Sequence, residues 1–149
     1  MYVNVFFSLF LGNVHYRDRE FKEALSYYKK VFKYNYQDRA FRAAMAESNF
    51  FLGKYKESIK HYKAAITKEK LNASLMYKLG LSYKNLKNWN LAQKFFEKAI
   101  SQRRKGRSLA SFGDDKIRVE LNAVVAKIEV TKGTKKAPAV VVQEAEKEQ

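Results

Sequence analysis

The sequence predicts an all-α protein, a solenoid of three helical hairpins followed by one capping helix, and three observations predict it. The 149 residues include one Pro and six Gly, which argues for helices over an architecture of short strands and turns. Small residues alternate with large apolar ones at helical spacing: Gly80, Ala92 and Ala99 recur among Leu79, Tyr83, Trp89 and Phe96. Two short helices lie close only where small side chains sit at the contact and large ones fill the gaps beside it. The whole pattern then returns every 34 residues without a gap. Phe21, Tyr55 and Trp89 align, as do Ala24, Ser58 and Ala92, then Tyr28, Tyr62 and Phe96, and lastly Gly12, Ala46 and Gly80. A fixed period of this size marks stacked supersecondary units.

The three copies run over 5–38, 39–72 and 73–106. The opening stretch, MYVNVFFSLFLG, has no basic flank and spans about a dozen residues, short of the roughly 20 that cross a bilayer. It reads as the first helix of the first hairpin, with Leu11 and Gly12 standing where Leu79 and Gly80 stand later. Its apolar residues, Val3, Val5, Phe6, Phe7, Leu9 and Phe10, cover nearly every side. Terminal repeats usually carry a polar outer face, so self-association or packing by upstream repeats is expected here. The second helix follows with Phe21, Ala24, Leu25, Tyr28, Val31 and Phe32 at helical spacing. Asp38 and Asn72 precede the next two first helices, where a short polar acceptor binds free N–H groups of the first turn. Gly53 supplies the turn inside the second hairpin.

Beyond the third copy, Ser101–Gly113 reads as a basic connection containing Ser and Gly. Asp114 or Asp115 then caps a helix whose stripe is Ile117, Leu121, Val124, Val125 and Ile128. This helix is outside the repeat pattern and is expected to cover the end of the third hairpin, the linker and helix together occupying 107–131. Residues 132–149 read as a flexible tail, with Val140–Val142 as a short segment able to dock.

Length gives one domain with room for a continuous core. Apolar residues make up 46%, which fits a folded chain. The absence of cysteine excludes disulfides, thiolate zinc clusters and thiol nucleophiles, and leaves the redox compartment open. The net charge of +15 is unevenly placed. Lys and Arg against Asp and Glu number 8 and 3 over 39–72 and 8 and 1 over 73–106, but 8 and 7 from Arg107 onward. Such a field favours anionic partners, nucleic acid or anionic lipid among them, without choosing one.

The period and the small and large positions resemble the tetratricopeptide-repeat (TPR) family over about 102 residues. Two departures stand out. The family's Pro at the end of each second helix is replaced by Tyr36, Lys70 and Arg104, so those helices are expected to run on. The second copy also has Arg42 and Asn49 where the third has Met76 and Tyr83. The resemblance implies a right-handed superhelix whose first helices line a concave groove. In this chain that places Phe6, Leu9, Asn13, Tyr16 and Arg17, then Glu47, Phe50 and Phe51, then Tyr77, Lys78 and Lys84 in the groove, with Ala40, Ala43, Ser74, Leu81 and Asn85 beside them. The mixture suits a peptide or helix of another protein. Helical spacing alone equally allows Phe50, Phe51 and Tyr77 to pack against neighbouring turns. Family members that grip the acidic C-terminal tail of chaperones use Lys and Asn, then Asn, then Lys and Arg. The matching positions here hold Leu9, Asn13, Ala44, Ser74 and Lys78, so that grip is not expected.

No catalytic constellation, metal motif or cofactor-binding loop is visible. His15 falls at an interhelix position and His61 on an outer face, which suits structural or solvated roles rather than a base. The convex side carries a basic patch, Lys60, Lys63, Lys94 and Lys98 with Arg103, Arg104, Lys105 and Arg107 adjoining. It is the alternative binding surface, for RNA, DNA or anionic membrane. Tyr27 and Phe95 are the aromatics on that face for stacking bases. The principal expectation is a non-enzymatic adaptor.

Overall fold

The computed structural model describes residues 2–34, 36, 38–66, 72–105 and 111–135. Among them are seven helices and no strand: α1 (Tyr2–Arg17), α2 (Phe21–Phe32), α3 (Arg39–Phe51), α4 (Tyr55–Ala65), α5 (Ala73–Asn85), α6 (Trp89–Lys105) and α7 (Ser111–Lys135). Consecutive pairs α1–α2, α3–α4 and α5–α6 form three hairpins, and each second helix packs on the first helix of the next. The 34-residue period carries into the structure. Second helices begin at Phe21, Tyr55 and Trp89, and α3 and α5 begin at Arg39 and Ala73.

The close approach within the outer hairpins is made at glycine. A Cβ on Gly12 would lie 2.6 Å from the Tyr28 ring, and one on Gly80 would lie 2.6 Å from the Phe96 ring. Both rings are fully buried. In the middle hairpin Ala46 takes this place opposite Tyr62, and both are buried.

Each hairpin turn is made the same way. Arg19, Gly53 and Lys87, spaced by 34, have φ of 63°, 72° and 58°. The following N–H groups reach back five residues to close the helix end, Glu20 to His15, Lys54 to Asn49 and Asn88 to Tyr83, each at 2.9 Å. This is a left-handed helix cap with its characteristic long bond. Asp38 accepts from the Phe41 N–H at 3.0 Å and Asn72 from the Ser74 N–H at 2.8 Å, so both act as N-caps.

Three expectations need correction. Helices α2 and α4 end at Phe32 and Ala65, short of Tyr36 and Lys70, and only α6 runs past Arg104. The chain leaves α2 so that Tyr36 can meet Phe41 edge-on at 5.4 Å. After α4, Ile66 turns extended, while Arg39 Nε donates to the last helical carbonyl, Ala65 O, at 2.8 Å. Asp114 and Asp115 do not cap α7, which already begins at Ser111, and α7 continues past Thr131 to Lys135. No proline precedes Pro138 to stop it, and Thr131 and Thr134 turn their hydroxyls onto Ile128 O and Val130 O. Val140–Val142, Arg107 and the rest of the expected tail lie outside the described residues.

Ile117, Val124 and Ile128 of α7 are buried in one core with Leu79, Phe96 and Ala99, which continues back to Ala46, Ile59 and Tyr62. A second core holds Val5, Ala24, Leu25, Tyr28 and Val31 with Phe41 and Met45. The middle hairpin also buries polar residues, Arg42, Ser48, Asn49 and His61.

Candidate functional site

Successive first helices touch, α1 to α3 and α3 to α5. Lys78 of α5 forms an ion pair with Glu47 of α3, and the Tyr16 hydroxyl of α1 is hydrogen-bonded to the same carboxylate. A rung therefore crosses the three first helices. Burial, first, and the bond to Glu47, second, push the Tyr16 hydroxyl far above the ordinary tyrosine range. One step further, Lys84 of α5 donates to Glu120 of α7 at 2.6 Å. Lys116 of α7 lies over the Tyr77 ring, 6.0 Å from its centre. Helix α7 thus extends the row of first helices by one. Glu120 and Lys116 were missing from the sequence reading, although their position beside the Ile117–Leu121 stripe put them within reach of the preceding first helix.

The expected groove residues divide by exposure. Phe6, Asn13, Arg17 and Phe51 are exposed, whereas Leu9, Tyr16, Glu47, Phe50, Tyr77, Lys78 and Lys84 are half-buried. Phe50 meets Tyr55 at 5.5 Å, and Tyr77 meets Phe96 at 5.8 Å. Those two rings tie first helices to second helices. Phe51 stacks on Phe21 at 4.5 Å and still keeps 53% of its surface. Asn13 accepts a hydrogen bond from the Tyr28 hydroxyl at 2.9 Å, whose burial pushes it up to about 12.

On the other side, Lys60, Lys63, Lys94 and Lys98 are exposed and Arg103 is half-buried. The side chains of Arg104 and Lys105 lie outside the described residues. Tyr27 stacks on His15 at 5.3 Å and lies beneath Lys30. Phe95 stacks on Tyr83 at 5.5 Å and lies beneath Lys98. Each ring is half-buried, with one stacked neighbour and one lysine over it.

His61 is not on an outer face. It is 6% exposed, edge-on to Phe32 at 5.9 Å and 3.5 Å from the Arg42 guanidinium, which itself lies over Phe32. The sequence around it, with Lys60 and Lys63 on either side, gave no sign that a ring from the preceding hairpin covers it. Burial, then the Arg42 charge, hold its imidazole below the ordinary histidine range, with Lys60 adding and Glu57 opposing. Among the described residues no cluster of His, Asp or Glu is arranged to hold a metal, and no helix is long and apolar enough to cross a membrane.

A family model described as a tetratricopeptide repeat matches residues 74–105. Among curated proteins no sequence match is found. Solved structures do match. The Sgt2 TPR domain from Aspergillus fumigatus superposes with a TM-score of 0.68 at 18% identity, over 95% of this chain and 89% of that one. The TPR2AB domain of yeast Sti1 in complex with pHSP90 gives 0.64 at 16% identity, over 88% of this chain and 50% of that one. The N-terminal domain of stress-induced protein-1 from C. elegans gives 0.61 at 18% identity, over 80% and 93%. Residues 74–105 are therefore a tetratricopeptide repeat, and the fold of the described chain is that of a tetratricopeptide-repeat domain.

Proposed function

We propose that this chain is a non-enzymatic scaffold whose concave side, lined by α1, α3, α5 and α7, holds a peptide or helix of another protein within a larger assembly. The observation that carries the reading is the internal neutralisation of that side. Glu47 is taken by Lys78 and Tyr16, and Lys84 by Glu120. Exposed on that side are Phe6, Phe51 and uncharged Asn13, Ser74 and Asn85, with the charges of Arg17 and Lys116. Apolar anchors inside a polar frame suit a partner recognised by side-chain packing.

An acidic chaperone tail is not the partner in this reading. The yeast Sti1 structure contains pHSP90, but the two tail-gripping positions this chain retains are engaged: Asn13 with Tyr28 and Lys78 with Glu47. Releasing either would break an existing contact before a carboxylate gained one. The basic back is the alternative surface, for RNA, DNA or anionic lipid. Its half-buried aromatics, Tyr27 and Phe95, support a solvated face over a base-stacking one.

The test is retention of native-lysate proteins by the tagged chain after nuclease treatment, washed at about 0.5 M salt, where the Debye length is under roughly 5 Å. A discrete protein should be retained, lost with Phe51→Ser plus Asn85→Arg, and kept with Lys94→Glu plus Lys98→Glu. The reverse pattern would move function to the basic back.

A further inference from the structure

In this solenoid three positions of a first helix face the preceding hairpin. Phe41 of α3 meets Tyr28 and Tyr36, Lys78 of α5 meets Glu47, and Ser82 of α5 meets Ser58 of α4 at 3.2 Å. Stepping back by the 34-residue period, these positions in α1 are Phe7, Phe10 and Val14. Here no hairpin precedes them among the described residues. Phe7 is 61% exposed and Phe10 63%, and Val14 is half-buried. The face of α1 is thus built as an inter-hairpin contact and stands open.

The opposite end shows the counterpart. Helix α7 buries Ile117, Val124 and Ile128 against α6 and turns a second apolar stripe outward: Val119, 67% exposed, Ala123, Ala126 and Val130, 63% exposed. The spacing of four, three and four residues keeps this stripe on one side of the helix. It is about 16 Å long, against about 10 Å from Phe7 to Val14 at 1.5 Å per residue. Two alanines in the middle leave depressions, and two valines close the ends. Large rings on one end thus match small side chains on the other in size, as knobs match holes.

We propose that the occupant of the α1 face is α7 of a second copy, so that the chain associates head to tail. Charge favours this pairing over others. The chain carries +15, yet residues 1–14 hold no charged side chain, and α7 holds five Lys and Arg against four Asp and Glu. The two ends are therefore where approach of like copies meets least repulsion. A contact between different faces does not close on itself, so each added copy presents a fresh α1 and a fresh α7.

Sedimentation of the full chain over a wide concentration range tests this. The mean mass should rise continuously, without a plateau at the dimer. Phe7→Ser with Phe10→Ser should weaken association at least about 100-fold, and so should Ala123→Arg or Val119→Glu with Val130→Glu. All these sites are exposed, so helicity should be unchanged in circular dichroism. Mixing the Phe7/Phe10 variant with the Ala123 variant should give a one-to-one dimer, because one supplies an intact α7 and the other an intact α1. A wild-type chain that stays monomeric overturns the proposal. So does a closed dimer surviving Ala123→Arg, which would be a symmetric α1 pair, or one surviving the phenylalanine changes, a symmetric α7 pair.

Discussion

The middle and the third hairpin share a register and differ in what fills it. In the third, Gly80 lets Phe96 lie against the α5 backbone, and Met76, Leu79 and Tyr83 complete an apolar core. In the middle one, the positions of Met76 and Tyr83 are held by Arg42 and Asn49, both buried. Asn49 donates its amide to Met45 O at 2.8 Å, and Arg42 lies over Phe32 and 3.5 Å from His61. The difference teaches that the period specifies backbone placement, which both hairpins share, while side-chain chemistry at that placement is free to change. The two apolar cores divide within this middle hairpin, Phe41 and Met45 belonging to one and Ala46, Ile59 and Tyr62 to the other.

The largest effect that sharpens this contrast is truncation of the central ring. Phe96→Ala should cost about 3–5 kcal/mol, the range for emptying a buried aromatic site. Phe96 is fully buried and touches Tyr77 as well as Gly80. The matched change Tyr62→Ala, opposite Ala46, should cost less, because Ala46 already fills part of the space between the helices. Urea unfolding of both variants measures the difference. Equal losses would show that the two hairpins are held together in the same way despite their different cores.

A smaller effect follows from the glycine itself. Gly80→Ala places a Cβ 2.6 Å from the fully buried Phe96 ring, and overpacking of this kind costs about 1–3 kcal/mol. Ala46→Gly in the middle hairpin should also destabilise, by about 0.5–1 kcal/mol from backbone entropy plus whatever packing the methyl provides. A third hairpin that accepted alanine at position 80 without loss would mean that the Phe96 ring can tilt away.

Much of this was legible in the sequence. Gly12, Ala46 and Gly80 with their partner rings could be paired by period alone, because close helix contacts constrain size and size is visible in residue type. The caps at Asp38 and Asn72 were legible for the same reason, since few residue types suit that position. The turns were half-legible. Gly53 announced a left-handed residue, but Arg19 and Lys87 take the same conformation, and nothing in an arginine or lysine advertises it. Contacts between hairpins were not legible. Glu47 with Lys78, Lys84 with Glu120, and His61 with Phe32 join residues 29 to 36 apart, and their pairing depends on how far each hairpin rotates over the last. The lengths of α2 and α4 were misread because a missing proline permits a helix to continue without requiring it.

The polar middle hairpin should reveal itself in pH dependence. In the folded chain the His61 imidazole titrates below its ordinary value, held there by burial and then by Arg42, whereas in the unfolded chain it titrates near about 6.5. Above that value both states are neutral at this site and stability is complete. As the pH falls from there toward the folded value, the unfolded chain takes up a proton that the folded chain refuses, so stability declines by up to about 1.4 kcal/mol per pH unit. Below the folded value the decline from this group ends. Urea midpoints between about pH 5 and 7, a window above the ordinary carboxylate range, should therefore slope downward with acid, and His61→Asn should flatten the slope. Arg42→Met, which gives the middle hairpin the residue of the third, removes the neighbouring cation and should reduce the slope while leaving the part due to burial. A slope unchanged in His61→Asn would assign the acid sensitivity to another group and remove the buried imidazole from the account of why the two hairpins differ.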